Sequence, residues 1–434
     1  MPSLSSVRTR TQTTLLNAAF SKALLKSCAA AMLPLFISGC SAFSTSASST
    51  SNTSAPLATA PAHPIPAAQN DLSTALSPTH RSLVVSDSGD EEPIATTNVR
   101  RVTFGDEGED FDPSISTDGT KLVFASTQHR ATSDIYIKRI NSRVVTQLTN
   151  DNADDASPAI SPDGTKIAFA SNRSGNWDVY IMPITGGKAV QVTSDTSDEV
   201  QPSWSPDGIK IVYARAGRTG RWELWISALS NNTTAHFIGY GVSPKWCPIA
   251  STGENGADKI LYQLSRERGR RSFSLWTLDY ADSMSSNPTE LIGSADAAMI
   301  NPAWSADGAW VAFAKIPLNT TTEDSCTSPI IQASSTKAAD FGSLWMVSVT
   351  GDASVRLTGS EASALSPVWA NDNTLYYVTN RSGRESVWSL SMAPAIRAAQ
   401  AAMSDSDTAT ADANTQDASQ VPMATASEAT AEQR

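Results

Sequence analysis

Four histidines, three groups of carboxylates and a matching series of arginines are the side chains here with most scope for chemistry. His63 and His80 lie in Ser/Thr/Ala/Pro-rich sequence, so only His129 and His236 fall in patterned sequence. Nucleophilic hydrolysis needs a histidine beside an activated Ser or Cys, and zinc hydrolysis needs paired His and Glu ligands. Neither a Gly-x-Ser-x-Gly elbow nor a His-Glu-x-x-His motif occurs. No catalytic residue is assigned on this basis.

The carboxylates are better organised. Asp106, Glu107, Glu109, Asp110 and Asp112 form one group; Asp151, Asp154 and Asp155 a second; Asp195, Asp198 and Glu199 a third. Arginines follow each group at a regular distance: Arg130, Arg173, and Arg215 with Arg218 and Arg221. Further on come Arg266, Arg268, Arg270 and Arg271, then Arg381 with Arg384. Clustered carboxylates can hold Ca²⁺ through oxygen ligands, but no Asp-x-Asp-x-Asp-Gly loop is present. No metal site and no other cofactor is assigned.

The elements that position these groups come from a repeat. Six prolines, Pro113, Pro158, Pro202, Pro244, Pro302 and Pro367, are each followed two residues later by Ile115, Ile160, Trp204, Trp246, Trp304 or Trp369. A turn comes next, Asp-Gly at 118, 163, 207 and 307 and Asp372-Asn373 in the last copy. A β run then ends in Phe124, Phe169, Tyr213, Tyr262, Phe313 or Tyr377, and a third run carries Tyr136, Tyr180, Trp225, Trp276, Trp345 or Trp388. The first three prolines are 45 and 44 residues apart, and a period of ~40–45 residues with strand patterning is that of a four-stranded propeller blade. The chain is therefore expected to be all-β, a six-bladed β-propeller of four-stranded antiparallel blades. Eight of its 11 Trp fall in two columns of the repeat, which assigns them to packing rather than to a ligand cage.

The last copy has three strands and no fourth. Arg101-Val-Thr-Phe104 matches the fourth-strand phrases Gln147-Leu-Thr149 and Arg356-Leu-Thr358, so residues 98–104 are expected to complete the last blade. Pairing the two chain ends in this way leaves no open sheet edge at the junction.

This geometry carries the acidic segments to one face, where each leads from an outer strand to the next inner strand. The arginine hairpins between second and third strands open on the same face, further out. Asp110, Asp112, Asp154, Asp155, Asp198, Glu199, Arg173, Arg218, Arg268 and Arg381 are thus the candidate binding face. Two readings apply: an Asp of one blade pairs with a hairpin Arg of its neighbour, or the face captures a basic peptide, a sugar or a cation.

Residues 1–39 read as an export signal, with basic Arg8, Arg10, Lys22 and Lys26 before a short apolar stretch. Ser38-Gly39-Cys40 resembles the bacterial lipoprotein signal, which implies cleavage after Gly39 and lipidation of Cys40. Ser41 in that family implies sorting to the outer membrane, facing the periplasm. Residues 40–95 read as a disordered tether, 96–393 as the folded domain and 394–434 as a disordered acidic tail. Export makes a disulfide between Cys247 and Cys326 possible, with a buried thiol at Cys247 as the alternative. A net charge of −11 argues against nucleic acid or an anionic membrane surface as partner.

The phrase Ser161-Pro-Asp-Gly-Thr-Lys-Ile-Ala-Phe-Ala-Ser-Asn-Arg173-Ser-Gly175, between Pro158 and Asp178-Val-Tyr180, resembles the TolB-type propeller repeat. The resemblance covers 98–393; copy four replaces Asp-Gly with Thr252-Gly-Glu-Asn-Gly256. It implies a periplasmic envelope protein that binds a protein or peptide without catalysis, as an adaptor like those of the Tol–Pal system. Similar repeats occur in the gating domains of prolyl-oligopeptidase-like enzymes, whose hydrolase domain has no counterpart here. The alternative is a carbohydrate-binding or polysaccharide-lyase-like propeller working in its central channel. Such lyases use a histidine-rich metal site. Cys40→Ala is expected to move the protein from the membrane to the soluble fraction of a cell lysate; unchanged fractionation would contradict the lipid anchor.

Overall fold

Asp-Gly turns and alternating aliphatic runs set the hairpins from which the ring is built. In the computed structural model the described residues are 83–84, 98–105, 107–230, 235–265, 273–317, 342–359 and 361–403. They form six antiparallel sheets of the expected four strands, the fifth extended by one short strand. Blade two is typical, with strands Asp155–Ile160, Lys166–Ser171, Asp178–Pro183 and Val190–Gln191 in sequential order. Its β-branched and aromatic residues suit the half-buried pleat. Inner strands of successive blades pack together, and that of blade six packs against that of blade one, so the ring is complete.

One turn chemistry recurs on the first hairpin. Ser161 Oγ donates to Asp163 Oδ1 at 2.5 Å, Thr165 N donates to the same oxygen at 3.0 Å, and Lys166 N donates to Ser161 Oγ at 2.9 Å. Gly164 takes φ of 69°, which a Cβ would disfavour. Ser116/Asp118, Ser205/Asp207 and Ser305/Asp307 repeat the arrangement. These donors favour the ionised form and hold the Asp118 and Asp163 carboxyls down at about 2.

The inner-strand tryptophans are buried between blades: Trp204, Trp246, Trp304 and Trp369. The indoles of Trp204 and Trp304 donate to Ala159 O and Lys245 O of the preceding blade, each at 2.9 Å. Fully burying a large apolar side chain contributes roughly 1.5–3 kcal/mol. Phe124, Phe169 and Phe313 on the second strands add to this by lying almost wholly inside.

The closing strand is Arg100–Arg101, antiparallel to the third strand of blade six with Arg100 opposite Ser389 and Arg101 opposite Trp388. Thr103 shows that this is a fourth strand in register. Its Oγ1 accepts from Val387 N at 2.9 Å. Thr149, Thr193 and Thr358 accept in the same way from Ile135 N, Val179 N and Leu344 N, all at 2.9 Å.

Two elements depart from the expected boundaries. Residues 393–403, placed at the edge of a disordered tail, form a helix. Its Ala395 and Ala399 are buried with Trp369 and Leu390, and Ile396 and Met403 pack on the same cluster. The tail's alanines favour helix formation, and the Ala395/Ala399 spacing puts one small face on the blade. Leu83–Val84, within the expected tether, pairs in parallel with Ala353 and Ser354 as a fifth strand on blade five. The signal segment, Cys40, the rest of the tether and residues 404–434 lie outside the described residues.

Deleting residues 96–104 is expected to lower the melting temperature of the whole domain. Thr103→Val should cost about 1 kcal/mol by leaving a buried amide unpaired. Unchanged melting of the deletion variant would refute the closure.

Candidate functional site

The axis is built by a bulge. In every inner strand the register shifts across the X-Pro pair; in blade three Val200 faces Ala214 while Ser203 faces Val212. The residue before each proline has positive φ: Asp112 48°, Ser157 51°, Gln201 58°, Ser243 51°, Asn301 51° and Ser366 47°. Such values are uncommon outside glycine, and a following proline favours extended backbone. Recurrence in all six blades makes the strain architectural: the bulge bends the strand, and these residues meet around the axis.

These six residues, Lys245 and five of the six prolines, Pro244 excepted, line a cavity of about 60 Å³. Four of them bond to one another across the blades. Ser157 donates from N and Oγ to Asp112 Oδ2 at 3.1 and 3.2 Å. Ser243 N donates to Gln201 Oε1 and Gln201 Nε2 donates to Ser243 Oγ, both at 2.8 Å. Asn301 N donates to Gln263 Oε1 at 2.8 Å. Burial lowers the pKa of Lys245, and the charge of Asp112 opposes that shift. Asp112 was a sequence candidate; the other five and Lys245 were not. Their signal was available, because a polar residue precedes the proline in every copy.

The remaining candidates are sorted by burial. Asp110, Asp155 and Glu199, expected on an open face, are buried. Asp110 accepts from Ser126 Oγ at 2.7 Å, and burial raises its pKa. Arg173 Nη2 reaches Asp155 at 2.9 Å and Asp151 at 3.1 Å, and its guanidinium lies over Tyr180 at 5.0 Å. Arg215 Nη2 bridges Asp195 at 2.6 Å, its Nε lies 3.7 Å from Glu199, and it covers Trp225 at 4.7 Å. These ion pairs join an arginine to the acids of its own blade, not to those of a neighbour as expected. The reason is the register: Asp155 lies opposite Ser171, at the mouth of the hairpin that carries Arg173.

Neighbouring blades are joined instead by acceptors on backbone amides. Asp154 of blade two accepts from Ser133 N of blade one, and Asp198 of blade three from Trp177 N of blade two, each at 3.1 Å. Arg130 crosses the same junction, donating to Asp151 O at 2.8 Å. Arg218 and Arg381 stay exposed, Arg381 with a loose pair to Glu361 at 3.6 Å. Blade three adds Arg221 stacked 4.0 Å above the exposed Tyr240, whose ring meets Phe237 at 5.2 Å. Of the two histidines, His129 packs edge-on against Tyr136 at 5.9 Å, and His236 lies in the outer strand of blade three. Cys247 is buried, while its expected partner Cys326 and the candidate Arg268 lie outside the described residues. Among the described residues no group of three His, Cys, Asp or Glu could hold a metal ion.

The junction of blades two and three holds two carboxyls side by side. Desolvation, then the charge of Asp178, pushes Glu199 up to about 8. Among the described residues Glu199 Oε2 and Asp178 Oδ1 are buried with no hydrogen-bond partner, and a proton on Glu199 would supply one. A folded pKa above the ordinary 4.5 means stability present below about 4.5 and lost as pH rises toward 8. The slope has an upper limit of about 1.4 kcal/mol per pH unit. Melting temperature should therefore fall between pH 5 and 8. Glu199→Gln should flatten that decline and leave the variant more stable at pH 8 by about 1–2 kcal/mol; an unchanged slope would contradict the assignment.

A closed ring of six blades around a narrow polar axis defines a β-propeller. Residues 92–248 match the TolB beta propeller domain. No curated protein matches the chain in sequence. Among solved structures, one assigned as TolB from Agrobacterium tumefaciens is 18% identical, with a TM-score of 0.46 over 65% of this chain and 90% of that one. TolB from Acinetobacter baumannii is 16% identical, with a TM-score of 0.46 over 63% of this chain and 64% of its own length. An oligogalacturonate lyase from Vibrio parahaemolyticus is 12% identical, with a TM-score of 0.44 over 69% of this chain and 93% of that one. No helix among the described residues is long and apolar enough to cross a membrane.

Proposed function

We propose that this chain is a non-catalytic envelope lipoprotein, anchored through Cys40 to the outer membrane, whose propeller holds a protein or peptide partner. The partner meets the face formed by the approach loops and the second-to-third-strand hairpins. The channel carries this reading. Its cavity of about 60 Å³ is occupied at the edges by mutually bonded side chains, whereas pockets that enclose a small ligand run to ~300–1,000 Å³. A sugar or a lyase centre in the channel, the other reading, has no comparable room.

The composition of the face supports the same reading. Arginine and exposed aromatics are the residue types that anchor protein interfaces. Arg218, Arg221, Tyr240 and Arg381 supply them on the rim.

A pull-down from cross-linked envelopes tests this. Arg218→Glu/Arg381→Glu and Tyr240→Ala variants are expected to melt like the wild type and to capture at least tenfold less of the partner that the wild type retains. Equal capture by all three proteins would contradict the assignment of this face.

A further inference from the structure

Lys138 occupies a position in the repeat that the other blades fill with Met182, Ser227, Leu278, Val347 and Leu390. It is 4% exposed. An ammonium in such a place is costly unless it is paired. Its Nζ donates to Val102 O at 2.5 Å, which uses one of its three N–H groups. Among the described residues it forms no ion pair.

More positive charge converges on the same spot. Arg101, Lys138 and Arg143 lie 5.6, 5.7 and 5.9 Å from the centre of the Phe104 ring, which is 54% exposed. Among the described residues Arg101 Nε is buried with no hydrogen-bond partner. Arg100 and Ser142 complete the wall of a pocket of about 170 Å³ beside the closing strand. Asp110 is the carboxylate that acts on both Arg101 and Lys138, yet it is buried and already accepts from Ser126. Among the described residues, four cations and one occupied acid leave this pocket short of negative charge in a chain whose net charge is −11.

We infer that this pocket, at the seam between blades six and one, is a binding site for a phosphoryl oxyanion. Two guanidinium forks and a compact ammonium match a tetrahedral group with several acceptor oxygens. The open Phe104 ring gives the substituent of that group an apolar contact. The site is separate from the rim proposed above and does not depend on it. It answers three features together: the buried lysine, the orphaned Arg101 Nε and the crowding of like charge.

The test uses the full chain with inorganic phosphate as the probe and chloride at matched ionic strength as the control. Wild-type protein is expected to show a saturable rise in melting temperature with phosphate only. Lys138→Met should abolish that rise, with at least a tenfold weaker dissociation constant. Without phosphate this variant should melt no lower than the wild type, because Met182 fills the equivalent position in blade two. Arg143→Gln, at an exposed residue, should weaken binding without changing the melting temperature of the free protein. No phosphate-specific response, or an undiminished one in Lys138→Met, would overturn the site. Cosedimentation with phosphatidylglycerol vesicles identifies the source of the group: Lys138-dependent pelleting assigns a lipid headgroup, and its absence a free phosphate.

Discussion

A residue with left-handed backbone stands before the proline of every inner strand, and most of the ring follows from that constraint. The bulge takes one residue out of the ladder and bends the strand. It also brings six polar residues together around the axis, where cross-blade hydrogen bonds involving Asp112, Ser157, Gln201 and Ser243 help to offset the strain. A sheet that kept strict register would leave these residues in the ladder. The narrow polar axis is a consequence of this one device.

Electrostatics divide the ring into two halves. Three residues before the proline, blades one to three carry Asp110, Asp155 and Glu199, whereas blades four to six carry Gly241, Met299 and Ala364. Carboxylates and arginines therefore stitch the first half. At this position the second half carries no carboxylate, Met299 clustering with Trp304 and Phe313 and Ala364 with Leu344. Burying a carboxylate raises its pKa and makes its partner indispensable. The arginines that serve as partners lie over aromatic rings of the second and third strands, so the charge pairs and the hydrophobic packing are fixed by the same side chains.

Much of this was legible in the residues. The columns of proline, tryptophan and Asp-Gly carry strand number and order, because alternation and turn chemistry are local properties. Thr103 could be matched to Thr149 for the same reason, and the closure followed. Burial was harder to read. Asp155 and Glu199 look like surface acids in a polar loop, and only the strand register shows that a hairpin arginine covers them. The ring residues were overlooked because serine or asparagine before proline resembles ordinary loop sequence. Lys138 lies inside the third strand of blade one, Asp134–Arg139, and its burial comes from the closing segment, whose Val102 O it meets. Helix 393–403 has low-complexity composition, and its alanine spacing gains meaning only from docking on blade six.

The central claim is that partners are met on the rim while the axis stays filled. Hydrogen–deuterium exchange on the full chain, with and without the captured envelope partner, measures this directly. Slowed exchange should concentrate in the hairpins around Arg218–Arg221 and Arg381–Arg384, with the Asp-Gly turns unchanged. Protection confined to the inner strands around the six X-Pro residues, or to the Asp-Gly face, would contradict it.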